Sequence, residues 1–349
     1  MGLIGGSIGL AAREQGAEVA GWDVDPDVLE RARTLGAIDR AGGSAPGALG
    51  GADACFVCAP VGKLPGLVAE ALSVAGPECV VSDVGSTKRA LAAATGDERF
   101  IGGHPIAGAE TSGVEHARAD LFRGATWYLT PGERSSGVLY ERLHTLLASF
   151  GAMPVAIDAE AHDRLLAVVS HLPHVLANVL VSQAARTASR EDEPLPRVGP
   201  SFRDATRVAG ASSDVWTDIY LANAEAIADR IDEAAERLRS VAADLRGGDS
   251  GALRAWNDEA AGDRRRLLEA DLAGGPVHEL RVAVPNRPGI VAQVALALGR
   301  GGVNIADMAL DPAPDNRSGA ITLWVVGEGA AGRAAELIEA LGFPVAGVR

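Results

Sequence analysis

From residue 18 to residue 157, short apolar runs alternate with helical stretches, and few folds accept that alternation. Residues 18–23, 54–59 and 79–83 read as strands, with helices at 28–35 and 64–75 between them. Strands separated by helices pair in parallel, because a parallel neighbour needs a crossover, and the crossovers then cover both sheet faces. The pattern is that of a doubly wound α/β sheet. Residues 126–130 and 153–157 look like its last strands, with a helix at 138–150 between them.

The chain opens on Met1-Gly2-Leu3-Ile4-Gly5-Gly6-Ser7-Ile8-Gly9-Leu10. Gly2 and Gly5 have the spacing of the last two glycines of a G-x-G-x-x-G turn. Such a turn lets the backbone approach a pyrophosphate, which then rests on a helix N-terminus. Gly2, Leu3, Ile4 and Gly5 are therefore candidate dinucleotide-binding residues. Asp23 ends the next strand, about twenty residues on, where a carboxylate binds the ribose hydroxyls of NAD. Val24-Asp25-Pro26-Asp27 holds no arginine for a 2′-phosphate, which favours NAD over NADP. The first glycine and the strand that should feed the turn are missing. That strand is central, and each unsatisfied buried backbone group costs about 1–3 kcal/mol, so the natural protein is expected to begin upstream of Met1.

A chain of 349 residues exceeds one compact core, so two or three domains are expected. The first is expected over residues 1–157. Composition then turns helical, with helices at 159–188 (bent by Pro173), 225–246 and 252–272, giving a helical domain at 158–273. After a linker at 273–276 the pattern changes again. A strand at 277–284, a turn at Asn286-Arg287-Pro288-Gly289 and a helix at 290–299 come first. A second turn at Gly302-Val303-Asn304-Ile305, a strand at 320–326, a helix at 331–341 and an end strand make residues 277–349 a βαββαβ unit.

The net charge of −14 argues against a nucleic-acid or anionic-membrane partner. The most apolar stretch, 165–181, is interrupted by His171, Pro173, His174 and Asn178, so it is expected as a buried helix and not a membrane span. Cys55, Cys58 and Cys79 make no disulfide framework and read as buried thiols. With no signal peptide recognisable, the expected location is cytoplasmic.

The segment from Gly102 to Gly113 has four glycines and a proline, and is expected as a shaped loop carrying His104, with Glu110 six residues on. A histidine there can act as a general base, being largely neutral at cellular pH. Ser86 sits at the carboxyl end of a strand, in Asp83-Val84-Gly85-Ser86-Thr87-Lys88, where such sheets bind ligands. Its hydroxyl could equally cap the following helix. His171 and His174 stand three apart on a helix, and His171 also fits a core residue bonded to a carbonyl.

Together these motifs resemble the prephenate dehydrogenase family, which includes arogenate dehydrogenases. The resemblance rests on Gly2 to Ser7, Asp83 to Lys88, Gly103 to Gly108, Ser170-His171-Leu172-Pro173-His174, Arg203-Asp204-Ala205-Thr206-Arg207 and Trp216. It implies a Rossmann-type doubly wound sheet with its first strand missing and an all-α dimerisation and substrate domain. The tail resembles an ACT domain, a regulatory module that commonly binds amino acids. The implied reaction is NAD-dependent oxidative decarboxylation of prephenate to 4-hydroxyphenylpyruvate, in tyrosine biosynthesis. By resemblance His104 takes the proton of the ring hydroxyl and Ser86 bonds to that hydroxyl. Arg207 grips a substrate carboxylate and His174 lines the pocket, while Glu110 and Asp204 form an ionic network with Arg207. That network could also be purely structural. The implied partners are prephenate, an aromatic amino acid effector at the tail, and a second copy in a homodimer. Arogenate is the alternative substrate, and a non-catalytic NAD-linked sensor is the alternative outside enzymes. A β-hydroxyacid dehydrogenase would need a lysine base in its helical domain, and residues 159–272 contain none.

Overall fold

The computed structural model describes the chain apart from residues 108–110, 191–197, 272–276, 286–289, 291–292, 295–296, 299–300, 302, 314–316, 328 and 349. It divides into two compact units, Met1–Ala235 and Glu236–Arg349.

The first unit begins with α1 (Leu3–Glu14), β1 (Ala20–Gly21), α2 (Pro26–Thr34), β2 (Arg40–Ala41) and α3 (Ala45–Ala48). The alternation continues through β3 (Ala54–Val57), α4 (Leu64–Val74), β4 (Val80–Asp83) and α5 (Arg89–Ala94). β5 (Ile101–Pro105), β6 (Thr126–Pro131), α6 (Gly137–Ser149) and β7 (Met153–Ala156) complete it. Helix starts have local causes: the Asp25 carboxylate accepts from the Asp27 N–H just ahead of Pro26, satisfying a donor that the helix leaves unpaired.

β3 and β4 pair in parallel from Ala54↔Val80 to Val57↔Asp83, and a parallel bridge from Val81 to Phe100 carries the pairing toward β5. β5 runs antiparallel to β6, and β6 parallel to β7. β1 and β2 form a separate parallel pair, and among the described residues no ladder joins β1 to β3. The Met1 side chain packs at that break. A Cβ on Gly21 would lie 3.3 Å from its sulfur, and one on Gly5 would lie 3.8 Å from that sulfur and 3.3 Å from Cys58 Cβ. β3 is half-buried along its length, where the sequence suggests a buried strand. One of its edges has no strand partner among the described residues.

The expected loop around His104 is instead a strand. Ile101 to Pro105 form β5 and are buried throughout. The glycines there serve close approach and not a turn. A Cβ on Gly102 would sit 2.3 Å from Thr130 Oγ1, and one on Gly103 would sit 2.7 Å from the Asp83 carbonyl oxygen. Pro105 closes the strand, having no N–H with which to carry the ladder further.

Helices follow as α7 (Ala159–Leu166), a π-helical turn (Ala167–His171), α8 (Leu172–Arg190), α9 (Pro200–Thr206) and α10 (Ser213–Ala222). α11 (Ala224–Gly247) and α12 (Ser250–Asp271) complete the series. The expected bend at Pro173 is taken up by the wide turn just before it. Pro173 offers no N–H and its ring crowds the carbonyl four residues back, so the widened turn absorbs the misfit. The expected burial of this helix holds on one side only. Val168, Val169, Val179, Leu180 and Val181 are exposed, while His162, Asp163, His171 and His174 are buried. By length and composition alone Ala159–Arg186 could cross a membrane.

The second unit contains α12, β8 (Val277–Pro285), β9 (Asn304–Pro312), β10 (Ser318–Val326), α13 (Ala330–Ala340) and β11 (Val345–Val348). The strands pair antiparallel in the order β11-β8-β10-β9. Alternate residues Leu280, Val282 and Val284 of β8, with Ile321, Leu323 and Val325 of β10, form one buried face. α13 adds Ala330, Ala331, Ala334 and Ile338 to the same core. The Arg264 guanidinium lies 4.5 Å above the Trp324 ring. Asn304 and Ile305, expected in a turn, begin β9, where pairing with β10 overrides weak local preference. Asn286-Arg287-Pro288-Gly289 and Gly302 lie outside the described residues.

Candidate active site

The site grows from the carboxyl end of β4. Asp83 is fully buried, a position expensive for a carboxylate unless its charge is paired and its lone pairs are used. Both conditions hold. Its Oδ2 accepts from Lys88 Nζ at 2.5 Å and from the Gly85 amide at 2.8 Å. Its Oδ1 accepts from the Gly103 amide at 3.1 Å. Lys88, itself 1% exposed, also donates to the Thr87 carbonyl at 3.0 Å. This ion pair ties the loop carrying Ser86 to the strand carrying His104. Ser86 is half-buried in that loop, and among the described residues no hydrogen bond joins it to His104.

His104 is buried, and its Nδ1 lies 2.9 Å from His162 Nε2. His162 Nδ1 lies 2.8 Å from Asp163 Oδ1. Asp163 is fixed in turn by the backbone amides of Lys88 at 2.7 Å and Arg89 at 2.9 Å. Burial, then the positive charge of Lys88, then the neighbouring imidazoles hold the His104 pKa well below the usual 6.5. His104 is neutral at physiological pH.

A second row of groups lies along the π-turn and α8. Asn223, fully buried, donates from Nδ2 to the Asp163 carbonyl at 2.8 Å and faces His171 Nδ1 at 3.3 Å. Burial brings the His171 pKa down to about 4, against an opposing pull from Asp163. His174 stacks on Trp216 with ring centroids 3.5 Å apart and planes 6° from parallel. Its Nδ1 meets the Tyr220 hydroxyl at 2.5 Å and Asn178 Nδ2 at 3.2 Å. Burial lowers its pKa too.

These contacts assign the tautomers. An amide nitrogen only donates, so Nδ1 of His171 and of His174 are acceptors, and the single hydrogen of each neutral ring sits on Nε2. Both Nε2 atoms are buried; that of His171 has no partner among the described residues, while the Val208 backbone hydrogen-bonds to His174 and opposes the fall in its pKa. A buried N–H donor without an acceptor, as on His171, is what an anionic substrate would satisfy.

The remaining candidates are placed less centrally. Asp204 lies on α9 and Arg207 just after it, both exposed, with the Arg207 amide 3.4 Å from the Asp204 carbonyl. Glu110 lies outside the described residues, so its expected place beside Arg207 is not seen. Trp216, one of the residues that carry the family resemblance, is the platform under His174. The sequence reading missed His162 and Asp163. They lie in the polar first turns of α7, AEAHDRLL, where nothing local marks them as buried.

The residues at the chain start fit a dinucleotide. Gly2 caps α1 in an extended conformation with no side chain on the first-turn amides, and a Cβ there would meet nothing within 4 Å. Leu3 and Ile4 are half-buried and Gly5 is buried, so this end of α1 is open only at Gly2. Gly9 packs the helix so closely that a Cβ would sit 2.1 Å from the Ala37 carbonyl oxygen. Asp23 follows β1 by two residues. The Asp25 amide donates to its carboxylate at 3.0 Å.

Over most of its length the chain is similar to known proteins. The family model for the prephenate dehydrogenase nucleotide-binding domain matches residues 8–155, and that for the dimerization domain matches residues 158–258. The prephenate dehydrogenase of Bacillus subtilis (strain 168) is 30% identical, over 97% of this chain and 94% of its own length. The Aquifex aeolicus prephenate dehydrogenase, solved with hydroxyphenyl propionate and NAD+, superposes with a TM-score of 0.71 at 28% identity. That match covers 76% of this chain and 95% of the other. Synechocystis arogenate dehydrogenase gives 0.66 at 25% identity, covering 76% and 97%.

Proposed function

The chain belongs to the prephenate dehydrogenase family, and from that premise we propose how its own residues carry out the reaction. The activity is NAD-dependent oxidative decarboxylation of prephenate to 4-hydroxyphenylpyruvate. NAD, when bound, supplies the hydride acceptor. Gly2, Leu3, Ile4 and Gly5 would hold its pyrophosphate at the start of α1, and Asp23 its ribose.

His104 is the base. The observation that carries this reading is the occupied Nδ1 of a buried, neutral imidazole, which leaves Nε2 as its one free nitrogen among the described residues. Nε2 takes the proton of the ring hydroxyl, with Ser86 as that hydroxyl's second partner. His171 and His174 donate to the substrate's anionic groups through Nε2–H. Arg207 supplies a cation for a carboxylate, with paired donors that match its geometry, and Glu110 and Asp204 orient it. In a chain of net charge −14, a dianionic substrate needs these local donors.

The division into residues 1–157, 158–273 and 277–349 follows the change from alternating to helical composition, and the two family models meet at its first boundary. The exposed apolar residues of the π-turn and α8 lie within the span matching a dimerization domain, which supports a homodimer closing over that face. The antiparallel sheet of the second unit supports an ACT-like module; an aromatic amino acid as its effector rests on the resemblance of the tail alone. A cytoplasmic location accords with a biosynthetic enzyme.

The test is NADH formation with prephenate and with arogenate. A higher kcat/KM with prephenate is expected. Turnover of arogenate alone would reassign the substrate, and binding of NAD with no turnover of either would make the chain a sensor.

A further inference from the structure

A carboxylate oxygen accepts hydrogen bonds and does not donate them. Asp163 Oδ1 therefore receives the hydrogen of His162 Nδ1. A neutral imidazole carries one N–H, so His162 Nε2 is a lone pair and must accept from His104 Nδ1. His104 is then left with a lone pair on Nε2, the form a base requires. One carboxylate thus sets two tautomers in series. Asp163 can do so because the backbone amides of Lys88 and Arg89 grip both its oxygens. His162 and Asp163 are 0% and 2% exposed.

The surroundings show why a second imidazole is useful. His104 faces the Lys88 ammonium, itself paired with Asp83, and the rings of His162 and His171. A proton held on His104 would sit in a buried place beside a cation. His162 faces the Asp163 carboxylate on one side and the edge of Tyr128 at 5.6 Å on another. A proton passed on to His162 would thus lie beside a carboxylate, whereas one kept on His104 would lie beside an ammonium.

We propose that His162, held by Asp163, is a positioning residue that fixes the tautomer of His104 and takes up the substrate's proton through it. This rests on the reading of His104 as the base. The substrate O–H bond breaks and a bond to His104 Nε2 forms, while the hydrogen on His104 Nδ1 moves to His162 Nε2. The electron pair left on oxygen forms the C=O bond as hydride departs to the cofactor of the established reaction. Loss of carbon dioxide then returns an electron pair to the ring, leaving a phenolate oxygen. That oxygen retakes the proton from His104 Nε2 as His162 hands its own back to Nδ1. The overall reaction releases no proton, so the pair stores one for part of a turnover and then returns it.

Two variants of the full-length enzyme test this. Asp163→Asn would also disturb the Lys88 and Arg89 amides, so the changes belong at His162. His162→Gln keeps an amide oxygen within reach of His104 Nδ1 but has no basic nitrogen. His162→Asn keeps a donor to Asp163 and leaves His104 unsupported. Both should lower kcat by about 10²-fold, the lower end of general-base effects, with KM for prephenate and NAD affinity within about twofold. In His162→Gln the acid limb of kcat should move to lower pH, because the first proton must then sit on His104. The dependence of kcat on deuterium fraction, bowed when two protons move, should become linear. Wild-type kcat and pH profile in both variants would overturn the proposal. So would full activity in His162→Gln with loss in His162→Asn, since His162 would then only orient the ring. The outcomes separate from those of the base assignment. Failure of the relay leaves His104→Asn inactive and His162→Gln active, whereas failure of the base leaves His104→Asn itself active.

Discussion

Two rows of buried histidine meet in this site, made of the same residue type and offering opposite chemistry. His104 and His162 back onto a carboxylate, so their order of hydrogens ends in a free lone pair on His104. His171 and His174 back onto Asn223, Asn178 and Tyr220, so their order ends in N–H donors. Burial depresses the pKa in both rows. What differs is the last group in each chain of hydrogen bonds. An acceptor at the back makes a base at the front, and a donor at the back makes an anchor.

The largest effect expected from breaking this contrast is at its basic end. His104→Asn should cost about 10²–10⁴ in kcat and leave NAD affinity unchanged. Single-turnover NADH formation would measure it, and a loss under threefold would remove His104 from the chemistry.

The second effect belongs to both rows and concerns stability. His104 and His171 have folded pKa values below the unfolded value of 6.5, with His171 at about 4. Below pH 6.5 the unfolded chain therefore binds protons that the folded chain refuses. Stability should fall as pH drops from 6.5 toward 4, by about 1.4 kcal/mol per pH unit for each such group. Above 6.5 these groups contribute no slope. Urea melts at pH 7, 6, 5 and 4.5 would show this, and His171→Asn should flatten the curve. Equal slopes with and without His171 would mean that this ring is free to take up a proton in the folded state.

The same contrast shows what could be read from residues alone. The α/β alternation and the long helices follow from apolar periodicity, which is local, and they were legible almost to their ends. His104 and His174 stood out as well, because a histidine among glycines or beside a proline is unusual in its own segment, whereas His171 also fitted a core residue bonded to a carbonyl and in fact faces the Asn223 amide nitrogen. Two things were not. Gly102 and Gly103 look like turn residues until Thr130 and Asp83, distant in sequence, press against them. His162 and Asp163 look like helix surface until Lys88, Arg89 and His104 are brought to them. Both errors have one cause. The sequence shows a residue's own preferences, whereas these positions are set by what approaches from elsewhere in the chain.

On the anchoring side, the Trp216 ring holds His174 by face-to-face contact. Trp216→Leu should release that ring and raise KM for prephenate by about tenfold, the upper end of what an aromatic pair contributes. The acid limb of kcat should stay where it is. A moved limb with an unchanged KM would place His174 among the titrating groups and erase the distinction between the rows.

The smallest effect should come from Tyr220→Phe, and its size bears on the tautomer argument. The Tyr220 hydroxyl and Asn178 Nδ2 both meet His174 Nδ1. Removing the hydroxyl leaves Asn178 as donor, so Nδ1 remains an acceptor and Nε2 keeps its hydrogen. What is lost is one neutral hydrogen bond, worth about 0.5–1.5 kcal/mol net. KM should rise by about two- to tenfold, with kcat and its pH profile unchanged. Asn178→Asp changes the back of the ring more deeply. A carboxylate 3.2 Å from Nδ1 draws the hydrogen to that nitrogen and turns Nε2 into a lone pair facing an anion. The donor would then be lost outright, and KM should rise well beyond the Tyr220→Phe value. If the two substitutions cost the same, the group behind His174 does not set its tautomer, and the contrast between the two rows must be sought in the substrate instead.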